Sequence, residues 1–188
     1  MADADSLLQR VVSSMATGGG GPSGKAQKSI LTQAAASFAR RPAGAEQTIP
    51  TGFDPVAATL FEAVVEAAFL VATADGEFDD AERNIFETVV HESCKNTIQR
   101  SEVHTLVSDL MDQLHEDGID KRIRMVGIIV HSDDHKVEVL RIAALMAHVS
   151  GGVDHTERTV MEKLCAQFGL PNTVVQTVLD QASTALGR

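Results

Sequence analysis

One stretch of this chain occurs twice. Residues Glu66 to Phe86 (EAAFLVATADGEFDDAERNIF) align without gaps to Arg141 to Met161 (RIAALMAHVSGGVDHTERTVM), 75 positions further on. Ala68, Leu70, Ala72, Gly76, Asp79, Glu82 and Arg83 recur as Ala143, Leu145, Ala147, Gly151, Asp154, Glu157 and Arg158. Each copy reads as an apolar helix, a glycine turn with carboxylates, and a second helix. A chain of this length that repeats a helix-turn-helix must pack two similar halves around one core. No segment alternates with period two, so the expected class is all-α, with an internal pseudo-twofold duplication.

The pattern predicts seven helices from Pro55 onward. They cover about 56–74, 80–92, 100–116, 120–130, 136–149, 155–168 and 173–186. Asp117-Gly118 stops the third, and Gly169 with Pro171 beyond it stops the sixth. The segment 142–149 is apolar on nearly every side except at His148, which places it in the middle of the bundle.

Residues 1–54 read as a tail to a domain at 55–188. Leu7, Leu8, Val11, Val12 and Met15 form one apolar stripe, with Asp3, Asp5 or Ser6 as a cap. GGGGPSG at 18–24 has linker composition. A second helix is expected from Lys25 to Arg40, with Ile30, Leu31, Ala34, Ala35 and Phe38 on one side. Pro42, Gly44, Pro50, Gly52 and Pro55 then interrupt the chain. The stripe either folds back onto the bundle or docks a partner protein as a short amphipathic helix.

The net charge of −10 is unevenly spread. Residues 1–54 hold five basic and four acidic groups, and residues 55–188 hold eleven and twenty-two. That balance argues against nucleic acid and anionic membranes as partners. No run approaches a membrane span, and the N-terminus lacks the order of a secretory signal. The lone cysteines Cys94 and Cys165 fit a reducing cytoplasm.

Asp75, Gly76, Glu77, Asp79, Asp80 and Glu82 crowd the first turn. Such carboxylates repel one another unless cations or hydrogen bonds compensate, and hard cations prefer oxygen ligands. The candidate metal residues are Asp75, Glu77, Asp79 and Glu82, with Asp154 and Glu157 in the second copy. Calcium or magnesium is favoured. The spacing Gly76 to Glu82 matches the second half of an EF-hand loop, but Val71 and Thr73 stand where the first acidic ligands belong, and Met146 and His148 stand there in the second copy. An EF-hand is rejected. The competing reading is local. Asp79-x-x-Glu82 and Asp154-x-x-Glu157 both fit a capping box, although capping leaves Asp75 and Glu77 unexplained.

Ala74-Asp75-Gly76-Glu77 followed by Asp79 and Glu82, the echo Gly151-Gly152-Val153-Asp154 followed by Glu157, and the ending Phe168-Gly169-Leu170-Pro171 resemble the TerB-like tellurite-resistance family. The resemblance covers about residues 56–186. It implies a compact helical domain of two pseudo-equivalent halves, acidic helix ends that chelate a metal, and a role in tellurite or chemical-stress responses. Asp75 and Glu82 match in the first half and Glu157 in the second, where Ser150 replaces the expected acid.

Other motifs carry less. Gly19 to Lys25 has P-loop spacing, but Ala26 replaces the magnesium-binding hydroxyl and no strand precedes it. His131 and His135 flank Asp133 and Asp134 without a fourth ligand, so zinc is disfavoured. No nucleophile has a base and an orienting group at recognisable spacing. The expected function is a non-enzymatic, cation-binding domain of a stress-response assembly. The alternative is a metal-independent adaptor that docks its partner through Leu7, Leu8, Val11, Val12 and Met15.

Overall fold

The computed structural model describes residues 2–19, 29–42, 50–76, 78–149 and 152–187. Within them the chain forms α1 (Ala2–Ala16), α2 (Ile30–Phe38), α3 (Pro55–Ala72), α4 (Asp80–Ser93), α5 (Arg100–Asp117), α6 (Ile119–Ile129), α7 (Asp133–Ala147), α8 (His155–Gln167) and α9 (Thr173–Leu186). The all-α class is as expected. The seven helices after Asp54 are joined by two from the preceding segment, which makes nine among the described residues.

The duplicated apolar helices, α3 and α7, lie against each other at the centre. Residues 63–71 and 139–147 are buried without a break. The recurring alanines have a packing reason: with only a methyl group at Ala68 and Ala143, two backbones can approach closely, while Leu70 and Leu145 fill the space beside them. Asp54 starts α3 by accepting hydrogen bonds from the backbone N–H of Val56 (3.0 Å) and Ala57 (3.2 Å). Pro55, expected to precede the helix, occupies its first turn, where its missing N–H costs nothing.

Two expectations change here. The expectation that no run approaches a membrane span does not hold for α3, which is long and apolar enough to cross one by length and composition. Its apolar surface is covered by α2, α6, α7 and α8, and its buried Glu66 pairs with Arg122 at 2.6 Å, which explains the composition as that of a core helix.

The second change concerns residues 1–54. Here α1 and α2 are built into the bundle rather than trailing from it. Val11, Met15, Leu31, Ala35 and Phe38 are buried, and Leu7, Leu8 and Val12 pack against the core at its edge. Phe38 meets Phe61 of α3 with ring centroids 4.7 Å apart, and Arg41 lies over the Phe38 ring at 3.8 Å while pairing with Glu102 at 3.2 Å. Helix α1 spans Ala2–Ala16, so Asp3, Asp5 and Ser6 fall within its bounds rather than before its start. At its other end the buried Arg141 donates to the carbonyls of Ser14 (3.1 Å) and Thr17 (2.9 Å). A cation at a helix C-terminus is favoured by the aligned peptide dipoles. The expected start of the second helix at Lys25 and most of the Gly19–Lys25 motif lie outside the described residues.

Candidate functional site

The first turn follows from local chemistry. Gly76 has φ +87°, a conformation that favours glycine, and its N–H returns to the Thr73 carbonyl at 3.0 Å. The chain then meets Asp79, which caps α4. Its Oδ1 accepts from the Glu82 N–H at 2.8 Å, and Glu82 Oε2 accepts from the Asp79 N–H at 3.0 Å. Phe78 closes the turn from within, edge-on to Phe69 (5.4 Å) and Phe86 (6.0 Å).

The second turn repeats the box. Asp154 Oδ1 accepts from the Glu157 N–H at 2.8 Å, and Glu157 Oε2 accepts from the Asp154 N–H at 2.9 Å. Asp154 also accepts from the Thr156 hydroxyl at 2.6 Å. That hydrogen bond and the Glu157 N–H hold its carboxyl below the usual range. The aromatic trio is not repeated, since Ala144, Val153 and Met161 stand in its place.

The recurring arginines complete the pattern. Arg83 Nε bonds Glu87 at 2.8 Å and its Nη2 reaches Ser108 on α5 at 2.6 Å. Arg158 Nε bonds Glu162 at 3.2 Å and its Nη2 reaches Gln176 on α9 at 3.0 Å. In each half, then, the repeated arginine pairs with the glutamate four residues on and ties the second helix to the next element. Every charged residue retained in the duplication has a structural task.

The six residues first singled out are distributed as follows. Asp79 with Glu82 and Asp154 with Glu157 form the two boxes. Asp75 is exposed in the first turn. Glu77 lies outside the described residues, as do Ser150 and Gly151. Among the described residues no group of three or more His, Cys, Asp or Glu side chains is placed to hold a metal ion. Each box carboxylate commits one oxygen to backbone N–H groups at a helix N-terminus, where the dipole favours anions and disfavours a cation. The described residues therefore do not form a ready-made cation cage.

The turns nonetheless meet. Phe78, Glu82, Ile85 and Phe86 of the first copy and Met146 and Val149 of the second line one recess at the shared end of α3 and α7. This proximity of the two copies could not be read from their sequences. His131 and His135, singled out as possible zinc ligands, instead line an apolar groove beside Pro55 and Val56.

A further cluster escaped the sequence reading. His104 Nδ1 lies 2.9 Å from Glu87 Oε1, with Ser108 one turn away on α5. The composition suggests a nucleophile triad, but the Ser108 hydroxyl donates to the His104 carbonyl and accepts from Arg83, so the imidazole does not hold it. The cluster is a strut between α4 and α5. Both cysteines are buried, and burial pushes the Cys94 thiol up to about 12, which keeps it protonated and unreactive near neutrality.

Replacing Asp79 with Ala is expected to cost about 1 kcal/mol, a fall in Tm of about 2–4 °C for a domain of this size. Asp80→Ala, between the two box residues but in neither of their hydrogen bonds, should lower Tm by less, since only a charge near the helix N-terminus is lost. Scanning calorimetry of both variants checks the assignment. At the second box, the lowered Asp154 carboxyl contributes stability that is present above the usual carboxylate pKa and lost as pH falls through its depressed value. Asp154→Ala should remove that part of the acid sensitivity.

The helix order, the two boxes and the closing Phe-Gly-Leu-Pro now meet an independent finding. A model of the tellurite resistance protein TerB family matches residues 61–181. No curated protein and no solved structure matches the chain. The match leaves α1 and α2 outside and takes in both turns and α4 to α8 entire, so the chain belongs to the TerB tellurite-resistance family.

Proposed function

We propose that this chain is a non-enzymatic binding domain of a cytoplasmic tellurite- or chemical-stress assembly, working through the end of the bundle where its two turns meet. The observation that carries the reading is the junction itself. Both copies contribute side chains to one recess, Glu82 lines it, and the exposed Asp75, Asp79 and Asp80 flank its Phe78 along the chain. The reading needs no catalytic group, and the charges repeated in the two copies are engaged in capping and helix-to-helix contacts. The N-terminal stripe is a poorer docking element, since Val11 and Met15 already serve the chain's own core.

The test is complementation. The chain should restore tellurite tolerance to a strain lacking its TerB protein, and Val149→Lys, which places a cation at the junction, should not. Equal tolerance with both would overturn the assignment of this end.

A second reading is favoured by the density of acids. Asp75, Asp79 and Glu82, with Glu77, would take calcium or magnesium, the oxygens not used in the capping box serving as ligands. Calorimetric titration of metal-stripped protein separates the two. Saturation near one equivalent that Asp75→Asn/Glu82→Gln abolishes would establish the cation site. No heat from a folded protein would leave the box as capping alone.

A further inference from the structure

The junction recess has an apolar floor and an acidic rim, and this combination selects its occupant. Its lining is the buried Phe86 and Met146, the more exposed Phe78, Ile85 and Val149, and one carboxylate, Glu82. Ile85 is 36% exposed, a large aliphatic side chain left partly in water at the mouth. Asp75, Asp79 and Asp80 are exposed and flank the lining residue Phe78 along the chain.

The sequence holds no Lys, Arg or His between Arg41 and Arg83. Arg83 turns away to Glu87 and Ser108 on the α5 side. Among the described residues, none of the ion pairs reaches Asp79, Asp80 or Glu82. An apolar ligand alone would leave the rim unanswered, and a bare cation would leave the recess unfilled. A peptide segment with one aliphatic side chain flanked by Lys or Arg satisfies both. Its apolar anchor is removed from water while the basic groups meet opposite charge at the rim, where they also speed encounter.

We propose that the recess between the two repeats docks a short basic segment of a partner protein, with a Leu- or Met-like side chain seated between Phe78, Ile85 and Val149 and Lys or Arg side chains against Asp75, Asp79, Asp80 and Glu82. The proposal rests on the reading of this end as the working end, and adds the chemistry of the partner. It needs no metal.

The test is a methyl- and amide-detected NMR titration of the full chain in excess chelator. Three capped synthetic peptides serve as probes: an amphipathic Leu/Lys peptide, its Ser/Lys counterpart of equal charge, and its Leu/Glu counterpart. The Leu/Lys peptide should shift the methyls of Ile85, Met146 and Val149 first. Its affinity should exceed that of the Ser/Lys peptide at least tenfold, and the Leu/Glu peptide should not bind. Ile85→Lys, at a half-open position that tolerates charge, should lower Leu/Lys affinity at least tenfold with the spectrum otherwise intact. Asp75→Asn/Asp80→Asn, at residues that make neither capping-box hydrogen bond, should lower it several-fold and flatten its dependence on salt.

Equal binding of the Leu/Lys and Ser/Lys peptides, or shifts scattered over acidic surfaces remote from the junction, would overturn the proposal, since a chain of charge −10 attracts any polycation weakly. If the peptides fail while Val149→Lys still abolishes tellurite tolerance, the basic segment is excluded and the working end stands. If tolerance is also unaffected, both fall.

Discussion

Arg122→Met is expected to be the most damaging conservative-volume change in the chain, with a loss of about 3–5 kcal/mol in unfolding free energy. Glu66 is buried in the middle of α3, and Arg122 of α6 meets it at 2.6 Å while also reaching Asp117 at 3.1 Å. Removing the guanidinium leaves a carboxylate in the core without its cation. The pH dependence identifies the cause. Burial raises the Glu66 carboxyl above its ordinary value, and the hydrogen bond from Arg122 acts in the opposite sense. Between the ordinary and the raised value the folded protein holds a proton that the unfolded chain has released. Stability therefore falls as pH rises through that window. Without Arg122 the window extends upward, so the variant's deficit should be larger at pH 8 than at pH 5. Urea unfolding at both pH values measures this directly. The double variant Glu66→Leu/Arg122→Met should recover most of the loss, because a matched apolar pair avoids the desolvation cost of both charges. An equal deficit at the two pH values would mean that the pair is solvated.

The position of this ion pair marks the limit of what the sequence discloses. Its members are 56 residues apart and belong to no periodic pattern. The duplication even misleads here, because the counterpart of Glu66 is Arg141, of opposite charge and different duty. Arg141 pairs with Glu138 at 2.7 Å and holds the end of α1. What could be read was local. The capping boxes lie within four consecutive residues, and their geometry depends on little else. The central place of residues 142–147 follows from apolar side chains all round the helix. The recess is different in kind. It depends on α3 and α7 ending side by side, a tertiary fact that two similar strings of letters do not contain. The acidic turn drew attention for its charge, and its described members explain the repeat through hydrogen bonds to backbone. The apolar residues between those acids, Phe78 and Ile85, build the surface.

The N-terminal stripe was ambiguous for the same reason, since an amphipathic helix does not name the groove it fills. Val11→Asp resolves the matter. Val11 and Met15 are fully buried between α1 and its neighbours, α4, α7 and α9, each worth about 1.5–3 kcal/mol of burial. A carboxylate at Val11 cannot remain there unpaired. The cheapest escape is for α1 to leave the bundle, so the cost is capped by the free energy of seating the helix. After the entropy of ordering it, about 2–4 kcal/mol is expected. The departure should also uncover Arg141 and Glu138, now closed over by Ser14, Thr17 and Gly19. Two readouts separate undocking from global unfolding: trypsin should cut rapidly at Arg10, and the Asp79 and Asp154 boxes should keep their amide protection in hydrogen exchange. A tethered docking helix would behave differently. Val11→Asp would then leave stability within about 0.5 kcal/mol of the parent, and Arg10 would be cut equally fast in both proteins.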